Sequence, residues 1–313
     1  MFFGLLAALG WGVSDLSAAI ASRRMGSRPV TVIAQLTGVA GFLLLFAVLS
    51  PPWDLPAGGT LVLFGTGLCA GVAYFGLYRG LELGPIALVS PIASAFGVVT
   101  VLLAVTVLGE SLGGLEIAGI VATLVGVVLT STDIRRLGVA EAGSRRGIPY
   151  AVAAMIGFGV GAFATGGYAQ DYGVFPPTIV SRIGSLVLIA VVLTVRRRAT
   201  PVVEHGVVDE MLASEAPGRD RSRAERILAP SGTTRRNVVL AIAVGIADVF
   251  GIWAYARGSE LGLVSITAAV SATFTLIPVL GGVTLFRERP APNQYAGIGL
   301  VVVGLILLGI GGA

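Results

Sequence analysis

Arg79-Gly80-Leu81-Glu82-Leu83-Gly84 returns 178 positions later as Arg257-Gly258-Ser259-Glu260-Leu261-Gly262, and this repetition decides the fold. The same offset pairs Phe96 with Phe274, Glu110 with Glu288, Gly119 with Gly297 and Gly126 with Gly304. Nearer the start of the chain an offset of 147 pairs Gly10, Gly12 and Val13 with Gly157, Gly159 and Val160. It also pairs Gly26, Pro29 and Thr31 with Gly173, Pro176 and Thr178. The offsets differ by 31 residues (178 less 147), which an extra polar stretch within 199–236 accounts for. Self-similarity at fixed offsets marks a duplicated unit.

The unit is a membrane unit. Of 313 residues 55% are hydrophobic and 12% charged, with a mean hydropathy of +0.91. A soluble chain carries about 25% charged residues. Apolar runs long enough to cross a bilayer, about 17–25 residues, fall near 2–22, 30–49, 60–80, 86–108 and 113–131, then 147–168, 177–195, 237–257, 263–286 and 292–311. Breaks such as Gly84-Pro85 and Phe175-Pro176-Pro177 separate them. In lipid every backbone amide needs an internal partner, so runs of this length are helices; the alternation of a β-barrel is missing. Residues 2–21 resemble a signal peptide. However, no basic residue precedes them, Asp15 interrupts them, and they have an internal copy at 147–172, so a permanent helix is expected.

The expected fold is therefore an all-α membrane protein of about ten transmembrane helices, arranged as two five-helix repeats: 1–133, then a cytoplasmic linker at 134–146, then 147–313 with a polar loop at 199–236. Because five is odd, the second copy must insert upside down. The charges agree. All 21 basic residues are arginines, and loops that correspond in the two halves differ in arginine content. Arg23, Arg24 and Arg28 face a counterpart with Asp171 alone, and the arginine-free loop at Asp54 corresponds to the arginine-rich 196–236. Nineteen arginines fall on one face, against Arg257 on the other and Arg182 inside a span. By the positive-inside rule the rich face is cytoplasmic, which puts both termini outside.

Charges near the bilayer centre cost about 2.5–3.5 kcal/mol even on a lenient scale, so they are candidates for function. Three stand out: Asp15, Arg182 and Asp248. Low dielectric disfavours a bare carboxylate, which suits the aspartates to proton coupling. Arg182 offers a donor fork for a substrate carboxylate or phosphate, or else pairs with an aspartate and locks the halves together. Gln35 stands where Arg182 stands in the other half, as a site residue or a helix–helix hydrogen bond. Trp11, Tyr74 and Trp253 are candidate cavity linings, with Tyr78, Phe158 and Tyr255 beside them; an interfacial aromatic belt is the alternative for those late in their helices. Pro91 and Pro278, inside spans, mark bends or hinges. The glycine stripes of the fifth and tenth helices read as packing surfaces. Glu82, Glu110, Glu260 and Glu288 sit at helix ends, where salt bridges with neighbouring arginines are expected.

A single cysteine, Cys69 in an apolar run, is assigned to packing, and the lone His205 to a solvated loop. Neither supports a metal cage or a catalytic pair, so no cofactor, no metal and no enzymatic activity are expected. The arginines form no groove-sized patch, so nucleic acid is not an expected partner; a small-molecule substrate and the lipid bilayer are, with a homodimer left open.

These stretches together resemble the EamA-like branch of the drug/metabolite transporter superfamily. The likeness rests on Tyr78 to Gly84 leading to Ser90-Pro91, on Leu108-Gly109-Glu110, and on Gly119 to Gly126, all duplicated in the second half. Gly12-Val13-Ser14-Asp15 followed by Ser22-Arg23-Arg24 resembles a bacterial subgroup. The resemblance implies a ten-helix inverted-repeat carrier with a central cavity lined by the first four helices of each half, exporting or exchanging small metabolites. It also implies both termini in the cytoplasm, opposite to the arginine count. The function expected is a secondary active transporter of a small polar metabolite, amino-acid-like or another organic solute, with proton coupling. It would lie multi-pass in a bacterial or archaeal plasma membrane. The alternative is a non-transporting sensor or scaffold signalling through 199–236.

Overall fold

In the computed structural model, residues 1–83, 92–132, 134, 147–196, 231–285 and 290–311 are described. Pro91, the linker at 134–146 (Ile134 apart), most of the polar loop at 199–236 and the Arg287-Glu288-Arg289 stretch lie outside them, as do the side chains of Tyr78, Arg79 and Glu82.

The first half comprises α1 (Phe2–Met25), α2 (Ser27–Leu49), α3 (Ala57–Leu83), α4 (Phe96–Val107) and α5 (Gly114–Ser131). The second comprises α6 (Ile148–Tyr172), α7 (Phe175–Arg196), α8 (Arg235–Glu260), a broken ninth span, and α11 (Pro292–Gly311). Among the described residues nine helices are long and apolar enough to cross a membrane, and Ile92–Val107 is the described part of the fourth expected span. No strand occurs among them.

The ninth span consists of α9 (Val264–Ser271), a 3-10 turn (Ala272–Thr275) and α10 (Leu276–Leu285). Pro278 explains the break: it has no N–H for the Phe274 carbonyl, and its ring crowds that carbonyl. Ser271 and Thr273 add to it by bonding back to the Ala268 and Val270 carbonyls at 3.0 and 2.7 Å.

The helices pack in pairs that exchange when the halves are exchanged. α1 lies against α8 as α6 lies against α3; α2 meets α8 as α7 meets α3. α5 packs along its own counterpart α11. There, a Cβ on Gly119 would lie 3.0 Å from the Gly304 carbonyl, and one on Gly126 would lie 2.8 Å from that of Gly297. Early residues of α5 thus meet late residues of α11, so these equivalent helices run antiparallel, which is the expected inversion. Backbones approach this closely because the facing residues are glycines, in lipid the main route to dispersion contact between helices.

Apolar side chains such as Leu44, Leu61, Val121 and Ile306 point outward, as a lipid-facing surface requires. Cys69 corrects an expectation: its side chain is exposed on α3 rather than packed inside, while its carbonyl closely backs Gly157 of α6.

Candidate functional site

Asp15 and Asp248 each stand thirteen residues into helices of 24 and 26 residues, about 20 Å along them and so near mid-membrane. Arg182 comes from α7 and is 4% exposed; Asp248 is 13% exposed. The Arg182 guanidinium divides its fork. Nη2 pairs with Asp248 Oδ2, and Nη1 donates to Gln35 Oε1 at 2.8 Å. Three helices, α2, α7 and α8, are thereby joined by one side chain. Tyr74 of α3 hydrogen-bonds with Gln35 and lies within electrostatic range of Asp15, Arg182 and Asp248. Asp15 is close enough to Asp248 for their charges to repel. Five of the candidates thus converge: Asp15, Gln35, Tyr74, Arg182 and Asp248.

Asp15 differs from the rest. Its side chain is exposed, on the side of α1 away from the outward-pointing Val13. Helical spacing shows how the packing changes along this face. Ala8, Gly12, Asp15 and Ala19 share one face of α1. Ala8 and Gly12 are buried, whereas Asp15 and Ala19, further along, are exposed. The ninth span has the same polarity: Val264–Ser271 are almost wholly buried, and Leu276–Leu280 are half-buried to exposed. On these two faces the side chains are therefore packed more closely toward the arginine-poor face than toward the arginine-rich one.

Aromatic rings form the more closely packed side. Trp11, one turn before Asp15, packs against Phe96, Tyr255 and Phe274 with centroids 5.9, 5.5 and 6.3 Å away. Phe96 and Phe274, equivalents in the repeat, meet each other at 6.1 Å. Gln35 and Arg182 are equivalents too, so both contacts lie on the pseudo-twofold axis relating the halves. Symmetry of backbone is thus combined with asymmetry of charge: Ala162 and Ala70 stand where symmetry would repeat Asp15 and Asp248.

Two expected linings lie elsewhere or behave differently. Trp253 lies about 140° around α8 from Asp248; it stacks on Phe250 and meets Phe3 edge-on, away from the polar cluster. Tyr255 is 2% exposed and donates to the Ala162 carbonyl at 3.2 Å, so it is a buried tie rather than part of a belt. Pro278 stands in the half-buried α10 beside the helix break.

Glu110 departs most from expectation. Instead of pairing with an arginine, its carboxylate accepts from two backbone amides, Val264 N at 2.6 Å to Oε1 and Ser265 N at 3.0 Å to Oε2. A carboxylate at a helix N-terminus satisfies orphan donors and complements the dipole. The signal was present in the sequence as Gly262-Leu263-Val264-Ser265, a helix start on the same face as Glu110. Glu260 does pair with Arg257, at 2.7 Å. No cluster of histidine, cysteine and carboxylates suited to a metal is found among the described residues.

The model of the EamA-like transporter family matches residues 1–132. A crystal structure of a protein 18% identical in sequence superposes with a TM-score of 0.69, covering 99% of this chain and 96% of that one; at that identity the likeness concerns the fold. No curated protein matches the sequence. With nine helices long and apolar enough to cross a membrane among its described residues, the chain is an integral, multi-pass membrane protein.

Proposed function

Because the model of the EamA-like transporter family matches residues 1–132, we propose that the chain is a secondary active transporter of the drug/metabolite transporter superfamily, moving a small polar metabolite, amino-acid-like or another organic solute. It works by alternating access between inverted repeats spanning 1–133 and 147–313, in a bacterial or archaeal plasma membrane. The observation carrying this reading is Asp15, an exposed carboxylate at mid-membrane depth beside the buried Arg182–Asp248–Gln35 cluster. Arg182 is engaged by Asp248 and Gln35, so Asp15 is the charge left to meet a proton or a substrate. Gln35 and Tyr74 shape the polar wall, Trp11 supplies the aromatic floor, and Pro278 gives its span a bend about which it can move; Pro91, the other hinge expected from the sequence, lies outside the described residues.

Proteoliposomes carrying an internal pH dye, screened against pooled metabolites, test the reading. Substrate-dependent proton movement should fall roughly ten- to a hundredfold in Asp15→Asn, the scale of one lost charge-assisted interaction. A folded Asp15→Asn protein with full pH-dependent transport would remove Asp15 from the coupling role.

A further inference from the structure

We propose that Glu110 is the latch of the arginine-poor face, and that its release from the N-terminus of α9 opens that face. The inference rests on the transporter reading but concerns a site outside the polar cluster.

Glu110 belongs to the segment joining α4 to α5 in the first half, whereas Val264 and Ser265 begin α9 in the second. Two hydrogen bonds, at 2.6 and 3.0 Å, therefore tie the halves together at one face. On its α6 side this tie is packed closely, while a hollow of about 300 Å³ lined by Phe3, Leu263, Ile266 and Thr267 borders the start of α9 on another side. A Cβ on Gly166 of α6 would lie 2.9 Å from Val264 Cγ1 and 3.0 Å from Ser259 Oγ. Tyr255 bonds to the Ala162 carbonyl, and Gln170 Nε2 donates to the Gly262 carbonyl at 3.1 Å. Ser265 is fully buried beneath the carboxylate.

Toward the other face packing is looser, with Ala19 of α1 exposed and Leu276–Leu280 of the ninth span half-buried to exposed. A cavity that must reach the arginine-poor face can do so only if the start of α9 parts from α6 and from the α4–α5 segment. The Glu110 hydrogen bonds cross that boundary and must break. They are well suited to it: the released carboxylate and the freed amides of a helix N-terminus can both be hydrated, so the latch exchanges partners without leaving orphaned groups in lipid.

The test uses the full chain with Cys69→Ala, carrying a reporter cysteine by Ser265→Cys or Ala19→Cys, labelled with a membrane-impermeant maleimide without substrate. With Glu110 intact, the reporter at 265 should label slowly and that at 19 quickly. Glu110→Gln, which keeps the shape but gives up one acceptor and the charge, should speed labelling at 265 roughly tenfold, the shift expected from one lost charge-assisted hydrogen bond. Labelling at 19 should slow in the same protein. Acceleration at both positions would mean general loosening, and no change at 265 would mean a cap without a gating role; either overturns the latch. Because no transport is measured, a failed latch and a failed carrier are told apart.

Discussion

Arg182→Met should lower stability by about 3–5 kcal/mol, the scale on which removing one partner of a buried ion pair leaves the other charge stranded. Asp248 would keep its carboxylate at mid-membrane with 13% exposure and no cation, beside Asp15 of like charge. Gln35 would also lose the donor on its Oε1. A lysine could not replace the arginine fully, because one ammonium does not reproduce a planar fork reaching α2 and α8 at once. Thermal unfolding in detergent measures the loss. The double variant Arg182→Met with Asp248→Leu should regain most of it, since an apolar pair of similar volume carries no desolvation cost. A single variant as stable as the wild type would show that the pair does not hold these helices together.

The second large effect concerns a methyl group. Gly126→Ala should destabilise by about 1–3 kcal/mol, although alanine favours helix over glycine. The added Cβ would lie 2.7 Å from Val301 N and 2.8 Å from the Gly297 carbonyl. These are backbone atoms, so no rotamer change relieves the clash and α5 must move away from α11. Gly299→Ala on α11 provides the control: its Cβ would meet nothing within 4 Å, and the residue is exposed. That variant should be unchanged or slightly more stable. Unfolding temperatures for the two, measured side by side, decide the matter; equal effects would mean that the α5–α11 contact is not glycine-dependent.

Both predictions draw on pairs that the repeat offsets had already aligned. Gln35 with Arg182, Phe96 with Phe274, and the glycines of α5 and α11 were equivalents by position; the structure makes the first two pairs neighbours and crosses the glycines, Gly119 to Gly304 and Gly126 to Gly297. An inverted repeat has this property near its pseudo-twofold axis, where residues related by symmetry come close to one another. The offsets could say which residues correspond but not which of them lie near the axis. Trp253 shows the limit from the other side. Its position in α8 suggested a cavity lining, yet a helix turns by about 100° per residue, so five residues carry it off the face of Asp248.

Length, apolarity and duplication by themselves determined that this chain crosses the membrane as helices in two opposed halves. Lipid offers the backbone no hydrogen bonds, and an odd-numbered repeat has no other way to insert. Tertiary structure alone decided how the few charges are used. Arg182 is committed to Asp248 and Gln35 and Glu110 to the amides of α9, while Asp15 is left exposed. Those choices depend on distances between helices far apart in the chain, and a buried charge takes whichever partner the packing brings within reach.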